Sequence, residues 1–427
     1  MISAAWLVSC VLLAQPEQSA SPSVELPATV KRLARQLDDS QLAKRDAAEK
    51  ELIALGPDAL NFLPQITAKT PAEVKDRLGR VRKTLEAAAV EAATKPSLVT
   101  LQGEMSLADA LASLQKQSGN KLHDIRRKFG DQTRAVTVKL DCEKTTFWQA
   151  LDQVLDQAGM TVYSYGGEEG TVAIVNRSEG EVDRANRAAY SGMFRFEGMR
   201  LEATRDIRNP MNHSLRFTMD VSWEPRLRPI IVQQPLDQVK AIDESGQPLE
   251  IDGREGEVEV DITPDSFSSE IYIPLMLPNR NVKKIASLKG TMNVIAPGRV
   301  ETFEFVDLEK AKEVEQKRAG VSVTLEKARR SGEIYEVRVI IKFDQATVAL
   351  ESHQDWISSN PAYLIDPDGK AIENAGLEET LRTDDAVGYS YKFVRDDGLA
   401  GHKFVYKTPA AIVKLPVEYE LKDIELP

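Results

Sequence analysis

Apolar positions between Ser97 and Asn176 repeat at helical spacing, and they do so twice. Leu107, Ala110, Leu111, Leu114, Ser118 and Gly119 recur forty positions later as Phe147, Ala150, Leu151, Val154, Ala158 and Gly159. The spacing predicts helices over Leu107–Gln117 and Thr146–Gln157, each closed by a glycine that can take positive φ. β-Type runs predict strands over Leu98–Leu101, Ala135–Cys142, Thr161–Tyr165 and Thr171–Asn176, the last two joined as a hairpin through 166–170. A basic insert, Lys121–Asp131, reads as irregular. Ser106 stands as N-cap of the first helix, with Asp109 at its third position.

Residues 25–93 carry a helical pattern throughout. Leu26, Val30, Leu33 and Leu37 form one stripe, and Leu42, Ala48, Leu52 and Leu55 a second, ended by Gly56-Pro57. Asp39 or Ser40 is the expected N-cap of that second helix, and Arg45–Glu49 its i,i+4 ion pair. Thr70-Pro71-Ala72-Glu73 is a capping box opening a helix with Val74, Leu78, Val81 and Leu85 on one face.

Residues 177–189 are polar and read as a linker. From Tyr190 the period changes to two, with Leu215, Phe217, Met219 and Val221 facing one way. This region reads as two copies. Residues 213–223 match 333–343, 239–251 match 362–374, and 301–308 match 417–424, in the same order. Asp243–Gly246 answers Asp366–Gly369, and Phe303 answers Tyr419. Turn signals every ten residues or so predict two immunoglobulin-like β-sandwiches, 190–308 and 320–427. The charged joint, 309–319, is expected to be a helical linker with a Glu313–Lys317 pair, crossed by few contacts and able to hinge.

Residues 1–22 read as an export leader, an apolar run too short to span a bilayer followed by a polar spacer. Leu7-Val8-Ser9-Cys10 resembles a bacterial lipobox, which makes Cys10 the candidate lipidation site; cleavage near Ala14 or Ala20 is the alternative. With the leader removed, Cys142 is alone and reads as a small buried hydrophobe. A net charge of −11 argues against nucleic-acid binding and against docking on an anionic membrane surface.

Two resemblances go beyond periodicity. The phrases "LADALASLQKQSG" and "FWQALDQVLDQAG" resemble the short N-terminal domain of secretins and TonB-dependent receptors, in which two such helices lie against a small sheet. The departure is "KLHDIRRKFGDQTR", where that family has a short strand and turn. The phrase "LDDSQLAKRDAAEKELIALGPDAL" resembles a single HEAT-like repeat. The expected architecture is therefore multidomain. A helical hairpin comes first, then a small α+β module over 97–176 of βαβαββ type, then tandem all-β sandwiches.

Residues able to do chemistry do not converge in the sequence. No nucleophile elbow, His-Glu-x-x-His or cysteine pair is present, and His123, His213, His353 and His402 are dispersed. Asp366-Pro367-Asp368-Gly369 reads as a turn rather than a calcium loop. No catalytic, cofactor or metal residue is assigned. "WEPRLRP" is the one candidate partner surface, with Trp223, Arg226 and Arg228 as contacts. The competing reading puts Trp223 at the end of a core strand, and "SHQDW", Ser352–Trp356, carries the same ambiguity. The expectation is a non-enzymatic, exported bacterial protein of the periplasm or cell envelope, with protein or cell-wall partners, a lipid anchor if Cys10 is modified, and no transmembrane helix. The rivals are an accessory subunit of a secretion or surface-assembly apparatus, and a hydrolase with dispersed carboxylates.

Overall fold

The computed structural model describes residues 22–427 except 65, 67–69, 131–134, 165–169, 186, 210, 264–265, 344–354 and 396–397. The leader, Cys10 and most of the 166–170 turn therefore lie outside the described residues. Strands hold 48% of the described residues, which makes this a mostly β protein with several sheets. No helix among the described residues is long and apolar enough to cross a membrane. The chain divides into two compact units, one up to Ala89 and one from Val90.

The first unit is helical. Helices α1 (Pro22–Gln36), α2 (Leu42–Ala54) and α3 (Ala72–Thr94, of which the residues from Val90 belong to the second unit) enclose Val30, Leu33, Leu37, Leu52, Val81 and Leu85, all fully or almost fully buried. Two local expectations change. The N-cap position of α2 is Gln41, whose side chain makes no cap bond; Asp39 Oδ1 instead accepts from the Gln41 amide at 2.9 Å. The Arg45–Glu49 pair gives way to bonds with α3. Arg45 reaches Glu73 at 2.8 Å, while Glu49 takes Arg77 at 2.7 Å and Arg80 through both its carboxylate oxygens. Bidentate arginine geometry across helices prevails over the weaker pairing along one helix.

In the second unit, residues 98–176 fold as two βαβ copies. The first is β1 (Leu98–Ser106), α4 (Leu107–Ser118) and β2 (Lys121–Asp124); the second is β3 (Thr137–Thr146), α5 (Phe147–Ala158) and β4 (Met160–Val162). β1 and β3 pair antiparallel, and β2 and β4 flank β5 (Thr171–Asn176). The copies exchange equivalent bonds. The Leu107 amide donates to Val136 O at 2.9 Å, and the Phe147 amide to Ser97 O at 3.1 Å. Gln117 bonds the backbone N–H and C=O of Thr100, and Gln157 those of Lys139, at 2.8–3.0 Å. Gly119 and Gly159 both take positive φ as helix caps, at 74° and 63°. The insert read as irregular begins with strand β2, parallel to β5, and continues as a 3-10 turn over Arg126–Phe129. Leu122 is the only apolar residue of β2 and could not set a period.

The β half runs from β6 (Ala189–Ser191), β7 (Phe194–Arg205), β8 (His213–Trp223), β9 (Ile231–Pro235), β10 (Lys240–Asp243), β11 (Pro248–Leu249), β12 (Glu257–Asp261) and β13 (Ser268–Leu275) to β14 (Lys284–Phe305). It continues through β15 (Lys312–Arg318), β16 (Val321–Ser331), β17 (Ile334–Phe343), β18 (Ala362–Ile365), β19 (Ala371–Glu373), β20 (Gly376–Arg382) and β21 (Ala386–Val394) to β22 (Lys403–Glu425). The order β6-β7-β8-β13 in one sheet is answered by β15-β16-β17-β21 in another. The pairs β10–β14 and β10–β11 are answered by β18–β22 and β18–β19. The two Asp turns carry the same bonds. Asp243 Oδ1 accepts from the Ser245 and Gln247 amides at 2.8 and 2.9 Å; Asp366 Oδ1 accepts from Asp368 and Lys370 at 3.0 and 2.8 Å.

The joint differs from expectation. Residues 312–318 are strand β15, pairing β16 with Val314 opposite Leu325, so no helical turn joins Glu313 to Lys317. Nor do the copies end at 308 and 427 as separable bodies. β14 and β22 pair antiparallel from Lys284↔Glu425 to Phe305↔Phe404. β14 gives Ile285–Ala296 to the first core and Phe303 and Phe305 to the second; β22 gives Phe404 and Tyr406 to the second and Val417–Leu421 to the first. Phe303 and Tyr419 thus hold matching positions, each in the other copy's core. A hinge at 309–319 would have to break this ribbon.

Two predictions follow from packing. Leu151 is fully buried, whereas its counterpart Leu111 is half-buried. Leu151→Ala should cost roughly 2–5 kcal/mol in urea unfolding and Leu111→Ala only about 1 kcal/mol. Gly290 lies opposite Tyr419, and a Cβ there would stand 2.4 Å from the phenol oxygen. Gly290→Ala should destabilise by about 1–3 kcal/mol, and shortening Tyr419 in the same chain should recover part of it.

Candidate binding surface between the α+β module and the β half

Glu224 follows the last residue of β8 and is wholly buried. A buried carboxylate needs donors, and four surround it. The Ser97 amide donates at 2.8 Å, the Ser97 hydroxyl at 2.5 Å, Asn120 Nδ2 at 2.9 Å and Arg226 Nε at 3.0 Å. Arg226 extends the clasp, donating from Nη1 to Ala92 O at 2.9 Å and from Nη2 to Lys95 O. These carbonyls lie at the C-terminal end of a helix, where a cation is favoured. Glu224 and Arg226 thereby fix the segment leading into β1 and the end of α4 to the β half.

Over this clasp lies a polar depression of about 430 Å³, lined by Gly119, Asn120, Lys121, Gly170, Pro225, Arg226 and Arg228. Arg226 and Arg228 are exposed on its rim, as is Lys121. Asn120 is 2% exposed, and its Oδ1 has no hydrogen-bond partner. Lys121 and Arg228, with a buried acceptor beside them, suit an anionic group that also carries a donor, while the Arg226 guanidinium is committed to Glu224, Ala92 O and Lys95 O. Trp223 does not belong to this surface. It is 0% exposed; its indole N–H donates to Ser266 O at 3.2 Å, and its backbone pairs with Phe194. It is a core residue ending β8, and the expectation of a Trp223 contact is corrected on that ground. Trp356 packs on Phe343, ring centres 5.8 Å apart; Ser352–Gln354 lie outside the described residues.

A second cluster joins the same parts. Arg195 on β7 is almost wholly buried and lies over the Trp148 ring at 4.6 Å. It donates to Asp152 Oδ1 at 2.9 Å and to Ser222 Oγ at 3.0 Å, with Asp220 at 3.8 Å. Tyr190 donates to the other Asp152 oxygen at 2.7 Å, and Ser222 to Asp220 at 2.6 Å. Burial works against the Arg195 charge, but Asp152, Glu197 and Asp220 outweigh it and hold the guanidinium protonated. Two carboxylates share that one cation. Burial pushes both carboxyls above the ordinary range, and Asp220 is the more distant from the guanidinium. Residues 177–189, drawn as a linker, are stapled here as well. Asp156 accepts from the Arg184 and Ala185 amides, and Arg184 donates to both Glu197 oxygens at 3.0 and 2.8 Å.

The signal for this docking stands in the repeat. Trp148 and Asp152 on α5 occupy the places of Ala108 and Ala112 on α4, and those alanines are exposed. A helix copy that changes two alanines to a tryptophan and an aspartate has a partner on that face. Elsewhere, Cys142 is fully buried and its thiol pKa is raised by that burial. Among the described residues no group of three or more His, Cys, Asp or Glu side chains is placed to hold a metal ion. No protein-family model matches the chain, and no curated protein matches it.

A raised carboxyl pKa means that the folded chain holds the Asp220 proton more tightly than the unfolded chain. Asp220 therefore favours folding in acid and costs stability as pH rises above the ordinary value of 3.8. Asp220→Asn should match wild type near pH 4 and exceed it at pH 8, measured as the difference in unfolding free energy across that range.

Proposed function

We propose that the chain is a non-enzymatic binding protein of the bacterial envelope, which holds an anionic group of a protein or cell-wall partner in the depression at Lys121, Arg226 and Arg228. The observation that carries the reading is the cation set beside the buried, unpartnered Asn120 Oδ1, on a floor fixed by Glu224. The floor is preorganised, so a ligand need not order it. The paired helix phrases, with their resemblance to the secretin and TonB-receptor short domain, support the envelope setting. So do the apolar leader and the Cys10 lipobox. The HEAT-like phrase and the repeated strand order fit a chain assembled from interaction modules, the β half being a pair of immunoglobulin-like sandwiches fused through their last strands.

Co-sedimentation with purified peptidoglycan and cross-linking in envelope fractions test the reading. Lys121→Glu with Arg228→Glu should abolish capture, and thermal unfolding of the same variant, recorded alongside, separates loss of the surface from loss of the fold. Equal capture by the double variant, or a cytoplasmic chain with an intact N-terminus, overturns it.

A further inference from the structure

The turn between β7 and β8 carries two large apolar side chains that contribute nothing to a core. Ile207 is 95% exposed and Met211 84%. Both lie in 206–212, seven residues, where the matching turn between β16 and β17 takes only 332–333. The first copy therefore carries an insertion, and the insertion is apolar at its tip. It is also held in shape. Asp206 Oδ1 accepts from the Arg208 and Asn209 amides at 2.8 and 3.1 Å. The Asp206 amide donates to Asn212 O at 2.9 Å, and the Asn212 amide to Asn209 O at 2.8 Å. These bonds brace the described part of the turn and leave Ile207 and Met211 in solvent, where polar residues would serve folding equally well.

The local charge opposes that of the chain. Residues 199–216 hold Arg200, Arg205, Arg208 and Arg216 against Glu202 and Asp206, in a protein of net charge −11. Arg200 faces Glu202 at 3.6 Å, and Arg205 and Arg208 stand exposed on either side of Ile207 in sequence. Met199, 54% exposed, adds apolar surface on the same hairpin.

We propose that this turn is a membrane-contact element. Ile207 and Met211 enter the edge of the acyl layer, and Arg205 and Arg208 meet anionic headgroups. A seven-residue turn at a hairpin end offers two apolar side chains flanked by guanidiniums. Two apolar side chains at one hairpin tip fall short of the roughly 20–30 residues a side of a standard protein interface. A bilayer asks only for a short apolar depth with cations at headgroup level, and arginine stems suit that boundary. The acidity of the remaining surface keeps it off the same headgroups, so contact is made by the hairpin end alone.

Flotation of the full chain with phosphatidylcholine vesicles, with and without phosphatidylglycerol, tests the proposal. Binding is expected with the anionic vesicles and should weaken as salt rises. Ile207→Ser with Met211→Ser should weaken it at least about tenfold without changing thermal unfolding. Arg205→Gln with Arg208→Gln should remove the preference for phosphatidylglycerol. Ile207→Trp, read against brominated lipid and compared with the parent chain, reports the turn itself whatever else in the chain reaches the vesicle. An unquenched Trp at 207, or no vesicle binding by the wild-type chain, overturns the proposal. Loss of a protein partner rather than of vesicles in the serine variant overturns it in favour of a protein contact.

Discussion

The β half depends on one antiparallel pairing, that of β14 with β22. Because the two strands run opposite ways past each other, each is long enough to finish its own core and then enter its partner's. Register in such a ribbon cannot drift: a shift of one residue would turn Val294, Phe303, Tyr406 and Tyr419 out of both cores at once. The pairing also explains an otherwise isolated glycine. Phe303 faces Tyr406 in the second core, whereas in the first Tyr419 faces Gly290. The space left by Gly290 admits the Tyr419 ring, which stacks on Phe196 at 4.9 Å and donates its hydroxyl to Gln234 Oε1 at 2.9 Å.

Much of the secondary structure was legible because period and turn chemistry are local. The paired helix phrases carry their own caps, and both Asp-to-Gly turns are closed by bonds within five residues. What escaped was nonlocal. Nothing within 309–319 announces a strand; it is one because β16 offers an edge, and its charged residues are those an exposed edge strand tolerates. β2 is a strand because β5 accepts it in parallel. Residues 177–189 read as a linker because their arginines look solvated until Asp156 and Glu197 are brought beside them.

The surface was legible only in part. Arg226 and Arg228 do border a depression, but Trp223, the residue that drew attention to the phrase, is in the core. A tryptophan ending an alternating strand continues the strand's buried face, and alternation was the better guide. Glu224 carried no warning at all. Its role comes from Ser97 and Asn120, more than a hundred residues away in sequence.

Repeated architecture separates what folding demands from what it does not. Where the copies agree, as in the Gln117 and Gln157 backbone clasps or the Asp243 and Asp366 turns, a common structural need accounts for both. Where they differ, the extra residue needs a reason of its own. Trp148 and Asp152 find theirs in Arg195, Tyr190 and Phe267, which cover α5 while the matching alanines of α4 stay in solvent. Ile207 and Met211 have no such cover among the described residues. By the same comparison that assigns Trp148 to an internal contact, the membrane contact proposed for the turn supplies them with one.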